Sequence, residues 1–338
     1  MATRRKEPDE LESPATGSVQ PNAAASGSAH GKVILLGEHA VVYGIPALAT
    51  GIDRGASAIA SGAMPQAFTI NGTPPANEMA QNAFRALEQA LGATGVTVAA
   101  SLDLMPGAGL GASAALGVAI AKALLAYQGA PQTADAVLAG AEAWERVFHG
   151  NPSGIDTSAA LYGGCFKYRR GHPPDFLTTA EPLRLAIAKA GPPASTKAMV
   201  DSVSRLRQRR PQLFDKSMEG IQSLVENAAL CLTAGDLVGL GKLMDYNQML
   251  LSGLFLSTPE IETACAIARE SGALGAKLTG AGGGGAVIAL ALDPEKIVAA
   301  WQAQGISGFV AECGQSGDGS GQPDAHSPDS DPASGARP

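Results

Sequence analysis

The stretch that decides the fold is Gly107-Ala108-Gly109-Leu110-Gly111-Ala112-Ser113-Ala114-Ala115. It follows the aliphatic run 96–104 (VTVAASLDL) after Met105-Pro106 and opens into a helix pattern of small and aliphatic residues over 112–127. A strand, a glycine turn and a helix N-terminus in that order present unpaired N–H groups and a partial positive charge. Glycines let a ligand approach the backbone closely, so the arrangement suits a polyphosphate. It is not the GxxxxGK[ST] loop, because no lysine follows the last glycine, and it lacks GxGxxG spacing. A tight strand-to-helix turn accounts for the same residues without a ligand.

Two further segments carry glycine and charge together. Lys277-Leu278-Thr279-Gly280-Ala281-Gly282-Gly283-Gly284-Gly285 is followed by the apolar Ala286-Val287-Ile288-Ala289-Leu290, so the run lies inside a domain. Ordered consecutive glycines each cost roughly 0.5–1 kcal/mol relative to alanine, which close approach of substrate or phosphate would justify better than a linker. Gly31-Lys32-Val33-Ile34-Leu35-Leu36-Gly37-Glu38-His39-Ala40-Val41-Val42-Tyr43-Gly44 brackets a hydrophobic strand with a lysine at one end and Glu38-His39 at the other. A solvated strand edge reads the same way, but the three could also line a polar cleft. No HExxH pattern accompanies His39, which argues against a metal role for it.

A carboxylate pair completes the set. In the helix expected over 133–148, Glu145 shares a face with Leu138, Ala141 and Phe148, where a charge is costly unless paired or bound to a cation. Asp156 follows within His149-Gly150-Asn151-Pro152-Ser153-Gly154-Ile155-Asp156. It reads either as a first-turn acid favoured by the helix dipole or as an acid or base beside the phosphate site.

Around these segments strands and helices alternate. A strand is expected at 32–36, a helix at 76–91, and helical pattern through most of 196–271, with Thr258-Pro259-Glu260 as a start signal. Then come a strand near 274–278, one at 286–291, a helix at 293–304 and a strand at 306–312. The interleaving argues a two-domain α/β or α+β enzyme, with a junction near Gly191-Pro192-Pro193. Residues 1–27 and 314–338 offer almost no large apolar side chain and are expected to be disordered tails, the second acidic.

Composition bounds the function classes. The chain has 338 residues, 42 of them glycine, and a net charge of −7, a poor match to nucleic acid. No window approaches the ~18 apolar residues of a membrane span, and no secretory signal opens the chain, so a cytoplasmic protein is expected. Cys165, Cys231, Cys265 and Cys313 lie far apart and indicate neither zinc nor a disulfide framework.

In this order, Gly31–Gly44, Pro106–Ala115 and Lys277–Gly285 resemble the three signature motifs of the GHMP kinases. Gly37-Glu38-His39-Ala40-Val41-Val42 and the segment Glu145–Asp156 resemble the mevalonate kinases among them. The resemblance covers residues 28–312, and the motifs are specific together rather than singly. It implies a two-domain α+β fold, with a ribosomal-protein-S5-like N-terminal domain over 28–190 holding ATP and a ferredoxin-like C-terminal domain over 191–313. It implies Lys32 beside the transferred phosphoryl group and Asp156 as acceptor of the substrate hydroxyl proton. Pro106, Gly107, Ala108, Gly109, Leu110, Gly111, Ala112 and Ser113 would hold ATP, and Ser113 with Glu145 would hold Mg²⁺. Glu38, His39, Thr196, Gly282 and Gly283 match positions next to the substrate, which the resemblance implies is mevalonate. Ala112 stands where the family has the first of two serines, and Ser113 keeps the metal-binding one.

Two other readings follow from the same residues. One is a kinase for another small alcohol such as phosphomevalonate, whose extra charge would want a basic cluster like Arg205, Arg207, Arg209 and Arg210. The other is a silent nucleotide or sugar sensor, which would be expected to lose the lysine or the acid. Here Lys32, Glu145 and Asp156 are all present. A homodimer is a family expectation on which the sequence is neutral.

Overall fold

A computed structural model describes residues 23–62, 67–105, 107–150, 152–180, 182–192 and 194–314. Its spine is a long antiparallel pair, β1 (Ala24–Leu36) and β2 (Ala47–Ser61), joined through a 3-10 turn at Ala40–Tyr43. Strands β3 (Phe68–Ile70) and β4 (Thr97–Leu102) extend the sheet on one side of β2. Strands β5 (Cys165–Tyr168) and β6 (Asp175–Leu177) add to it further along β2. Helix α1 (Glu78–Leu91) packs on α3 (Ala134–His149), and α2 (Ala112–Tyr127) lies between β1 and α3. Because α2 is apolar on nearly every side, it can exist only as a buried helix. The short α4 (Ile155–Tyr162) lies against both α2 and β1.

The second half begins with β7 (Leu183–Lys189) and continues through α5 (Thr196–Arg209), α6 (Pro211–Ala234), α7 (Leu237–Gly253) and α8 (Pro259–Glu270). Strands β8 (Gly275–Thr279) and β9 (Ala286–Leu290), helix α9 (Pro294–Ala303) and β10 (Gly308–Cys313) close it. The expected start signal at Thr258-Pro259 holds: Thr258 accepts an N–H from its own helix, as Thr133 does at the start of α3, and Pro259 is at the first helical position. No described helix is long and apolar enough to cross a membrane.

Three boundaries differ from the sequence reading. Strand β1 starts at Ala24, so Ala24–Gly27 belong to the sheet rather than to a disordered tail. Their small side chains carry little hydrophobic signal, but smallness is what this contact with α2 requires. A Cβ on Gly27 would lie 2.4 Å from the Ala119 carbonyl oxygen and 2.6 Å from the Ala123 nitrogen. Gly27→Ala is therefore expected to lower stability by about 1–3 kcal/mol, read as a fall in urea midpoint at unchanged slope. Gly253→Ala, with open space around the same atom, is the control.

At the other end Gly314 is ordered too, donating its N–H to Thr50 Oγ1 at 3.1 Å. The remainder of both expected tails, 1–22 and 315–338, lies outside the described residues. The third difference is the junction. Strand β7 pairs with β9 and β10 along its length, so it belongs with the C-terminal half although a boundary at 190 assigns it to the first. The Gly-Pro-Pro stretch marks only the end of that strand. A single register pair, Cys313 with Ile52, joins the two halves into one sheet of order β3-β4-β2-β10-β7-β9-β8.

Candidate active site

The glycine turn before α2 forms one wall of a cleft of about 460 Å³. Gly107, Gly109 and Gly111 all have positive φ, at 71°, 76° and 75°, alternating with Ala108 and Leu110. Such alternation turns successive N–H groups toward one side, an anion-binding arrangement. Gly111 is also the N-cap of α2 and has no side chain to satisfy the helix's first N–H groups, which stay available to a ligand. Gly107, Ala108, Gly109, Gly111, Ala112 and Ser113 line the cleft. Leu110 does not: its side chain is buried in the core, and its carbonyl accepts the Lys32 N–H at 2.9 Å. Pro106 lies outside the described residues.

Lys32 and Asp156 meet at the cleft, with Lys32 Nζ 3.1 Å from Asp156 Oδ1. The lysine is buried on β1, whereas Asp156, in the first turn of α4, keeps 38% of its side chain exposed and lines the cleft. Gly154 makes that turn, with φ of 88°. Gly111 leaves room for the lysine stem, since a Cβ there would come 2.8 Å from Lys32 Cγ.

Glu145 lies behind Ser113, whose hydroxyl donates to Glu145 Oε1 while accepting from Trp144 Nε1 at 3.1 Å. His149 Nε2 is 3.7 Å from Glu145 Oε2. Burial, helped by the negative charge of Asp156, pushes the Glu145 carboxyl up to about 7, against the Ser113 hydrogen bond and the Lys32 charge. The donor set of one hydroxyl and one under-compensated carboxylate consists of hard oxygens, which suit Mg²⁺ or a similar ion. Among the described residues no group of three or more His, Cys, Asp and Glu side chains could hold a metal unaided. A cation here would need oxygens from a bound phosphate as well, the usual habit of Mg²⁺.

The opposite wall comes from the C-terminal half. Ser195 and Thr196 at the start of α5, with Thr279, Ala281, Gly282, Gly284 and Gly285, face the glycine turn. Gly283 does not line the cleft: its N–H donates to the Leu256 carbonyl at 2.7 Å, and a Cβ there would strike Met199 Sδ at 2.6 Å. Glu38 is not on the wall either. Its carboxylate is buried, receiving Lys277 Nζ on Oε1 and Asn247 Nδ2 at 3.0 Å on Oε2. His39 is buried beside the third glycine segment, donating from Nε2 to the Ala281 carbonyl at 2.8 Å. Burial holds its pKa below the ordinary value, so it is a neutral imidazole. Its φ of 62° is a strained conformation for a residue with a Cβ.

Sequence reasoning missed three members of this neighbourhood: Lys277, Asn247 and His149. A lysine within an otherwise apolar strand was the available signal for Lys277. Asn247 and Gln248 sit in a helix whose pattern says nothing of partners. His149 lies in the quoted Glu145–Asp156 segment but had no spacing to single it out.

Comparisons with known proteins give the family. The model of the GHMP kinases N terminal domain matches residues 78–164, and that of the GHMP kinases C terminal matches residues 221–307. A mevalonate kinase of Methanothermobacter thermautotrophicus is 34% identical over 280 residues, covering 78% of this chain and 89% of that one. One of Aeropyrum pernix is 34% identical over 291 residues, covering 80% and 90%. The crystal structure of L. major mevalonate kinase in complex with R-mevalonate superposes with a TM-score of 0.80 at 29% identity, covering 88% of this chain and 98% of that one. A phosphate-suited glycine turn and a lysine–aspartate pair thus stand in a chain whose two halves both match one enzyme family. The chain is an ATP-dependent small-molecule kinase belonging to the GHMP kinases and, within them, to the mevalonate kinases.

Proposed function

We propose that this chain transfers the γ-phosphoryl group of ATP to the 5-hydroxyl of (R)-mevalonate, giving 5-phosphomevalonate and ADP. The observation that carries this reading is the Lys32–Asp156 pair, its lysine packed on the glycine turn and its aspartate lining the cleft that the turn shares with the C-terminal glycine segment. Phosphoryl transfer needs positioning and charge neutralisation more than covalent chemistry. Backbone N–H groups of 107–113 hold the phosphates. Thr196 and Gly282 are wall residues for the acceptor. Asp156 takes the proton of the acceptor hydroxyl as its oxygen bonds to the γ-phosphorus and the bond to the β–γ bridging oxygen breaks. Lys32, paired with Asp156, offsets charge on the transferring group. Mg²⁺ on Ser113 and Glu145 would add neutralisation of the phosphate oxygens.

The acceptor is tested with a coupled ADP-release assay over a panel of alcohols, (R)-mevalonate, phosphomevalonate, homoserine and galactose. The expected result is release with mevalonate far above the others. Preference for phosphomevalonate would overturn the assignment, and the site offers little for it. Arg205, Arg207, Arg209 and Arg210 lie on or just after α5, none lines the cleft, and Arg207 is stacked over Tyr43 and Phe214, 5.5 Å from each ring.

Glu145 gives two pH predictions of opposite sign. With its folded pKa raised to about 7 from 4.5, the cation-free fold binds more protons than the unfolded chain between those values. Stability therefore falls as pH rises through this window, by about 3 kcal/mol in all. Mg²⁺ binding, which needs the carboxylate, strengthens over the same window. Glu145→Gln is expected to remove most of the pH dependence of the urea midpoint and to raise the Mg²⁺ requirement for turnover severalfold. An unchanged Mg²⁺ titration would count against the ligand assignment.

A further inference from the structure

Strand β1 carries Lys32, and its far end is not held by its sheet neighbour in the regular way. The β1–β2 register breaks between Ile34 and Leu36. At that break the chain is gripped from the other half of the molecule. Thr279 Oγ1 accepts the Ile34 N–H at 2.8 Å and donates to the Ile34 carbonyl at 3.1 Å, a side chain replacing a strand partner. Just beyond, Glu38 meets Lys277, with both side chains fully buried. His39 meets the Ala281 carbonyl in turn.

Lys277 also donates to the Leu278 carbonyl at 2.5 Å, and Asn247 of α7 holds the second Glu38 oxygen. A seam of side chains, at Ile34–Thr279, Glu38–Lys277 and His39–Ala281, thus ties the segment after Lys32 to the segment before and within the glycine run.

We propose that Lys277 and Glu38, with Asn247, are positioning residues for phosphoryl transfer. Their buried pair fixes the end of β1 on β8 and so sets Lys32 against Asp156. The inference deepens the function proposed above and rests on its reading of Lys32 and Asp156. Lys32 itself is in register opposite Gly51, so what the seam adds is a fixed path for the strand end beyond Ile34, where the ladder shifts. A buried ion pair is poor evidence of net stability, because burying two charges offsets their attraction. What such a pair can supply is one fixed geometry, here between two halves that touch in the sheet at a single register pair.

The test separates geometry from stability. Removing one partner leaves a buried charge and risks unfolding, so the working variant is the double Glu38→Gln, Lys277→Met, which has no unpaired charge and close to the same volume. The expected result is a folded protein whose kcat with ATP and (R)-mevalonate falls at least about tenfold while KM for ATP stays within about threefold. That split marks an effect on the reacting geometry. A folded double variant with kcat within about twofold of wild type overturns the inference. Should the double variant not fold, Asn247→Ala, which removes one hydrogen bond to Glu38 and no charge, decides it. A severalfold lower kcat at unchanged ATP KM supports the role, and an unchanged kcat overturns it. Wild type and Asp156→Asn are run alongside. An inactive wild type, or a fully active Asp156→Asn, defeats the reading of Lys32 and Asp156 and the inference with it. An active wild type with an unaffected double variant defeats the inference alone.

Discussion

Asp156→Asn is expected to lower kcat by at least about a hundredfold, the low end of what a positioned acid or base contributes, while leaving ATP affinity nearly intact. Asp156 is partly exposed, so an amide of the same shape fits its place, while the buried Lys32 loses its counter-charge. Asparagine keeps the oxygen that faces Lys32 but cannot take a proton from the acceptor hydroxyl. In the proposed site the phosphates are assigned to the N–H groups of the 107–113 turn, which this change does not touch. Stopped-flow or steady-state kinetics with isothermal titration of ATP would separate the two effects. Near-normal turnover would remove Asp156 from its role.

Lys32→Met is expected to cost about 100–1000-fold in kcat, the range found when one preorganised donor to a developing charge is removed. The lysine stem is buried against the turn it serves, and methionine replaces most of that stem, so the fold should persist. Because lysine and aspartate act as a unit, the double variant Lys32→Met, Asp156→Asn should be scarcely worse than the more damaged single one. Additive losses would show that the two residues act on separate steps.

The parts of the site legible in the sequence are those where one physical demand admits few residue types. Positive φ at 107, 109 and 111 favours glycine, so the turn announced itself. Glu145 stood out because a charge on an apolar helix face needs a reason, and the structure gives its carboxylate a partner in the Ser113 hydroxyl. The cap at Thr258 gave the start of α8 directly.

What stayed hidden depends on contacts distant in sequence. The fifteen residues of β2 are largely alanine, serine and glycine, a composition without strand signal, because the sheet must admit α2 at close range. Glu38 looks like a cleft residue from its place at the end of a strand, and only the fold reveals the lysine 239 positions away that claims it. Gly283 likewise reads as one of a run of equals, although its N–H faces Leu256 rather than the cleft. Sequence punctuation places β7 in the N-terminal half because a Gly-Pro pair follows it, whereas its partners β9 and β10 come about a hundred residues later.

The central claim, that the Lys32–Asp156 cleft moves the γ-phosphoryl group of ATP onto the 5-hydroxyl of (R)-mevalonate, is tested most directly by ³¹P NMR of the purified protein with ATP, Mg²⁺ and (R)-mevalonate. One new phosphomonoester signal, coupled to a methylene, should grow in step with ADP and be absent with Asp156→Asn. Inorganic phosphate alone, a diphosphate product, or the same monoester from the Asp156→Asn variant at an undiminished rate would contradict it.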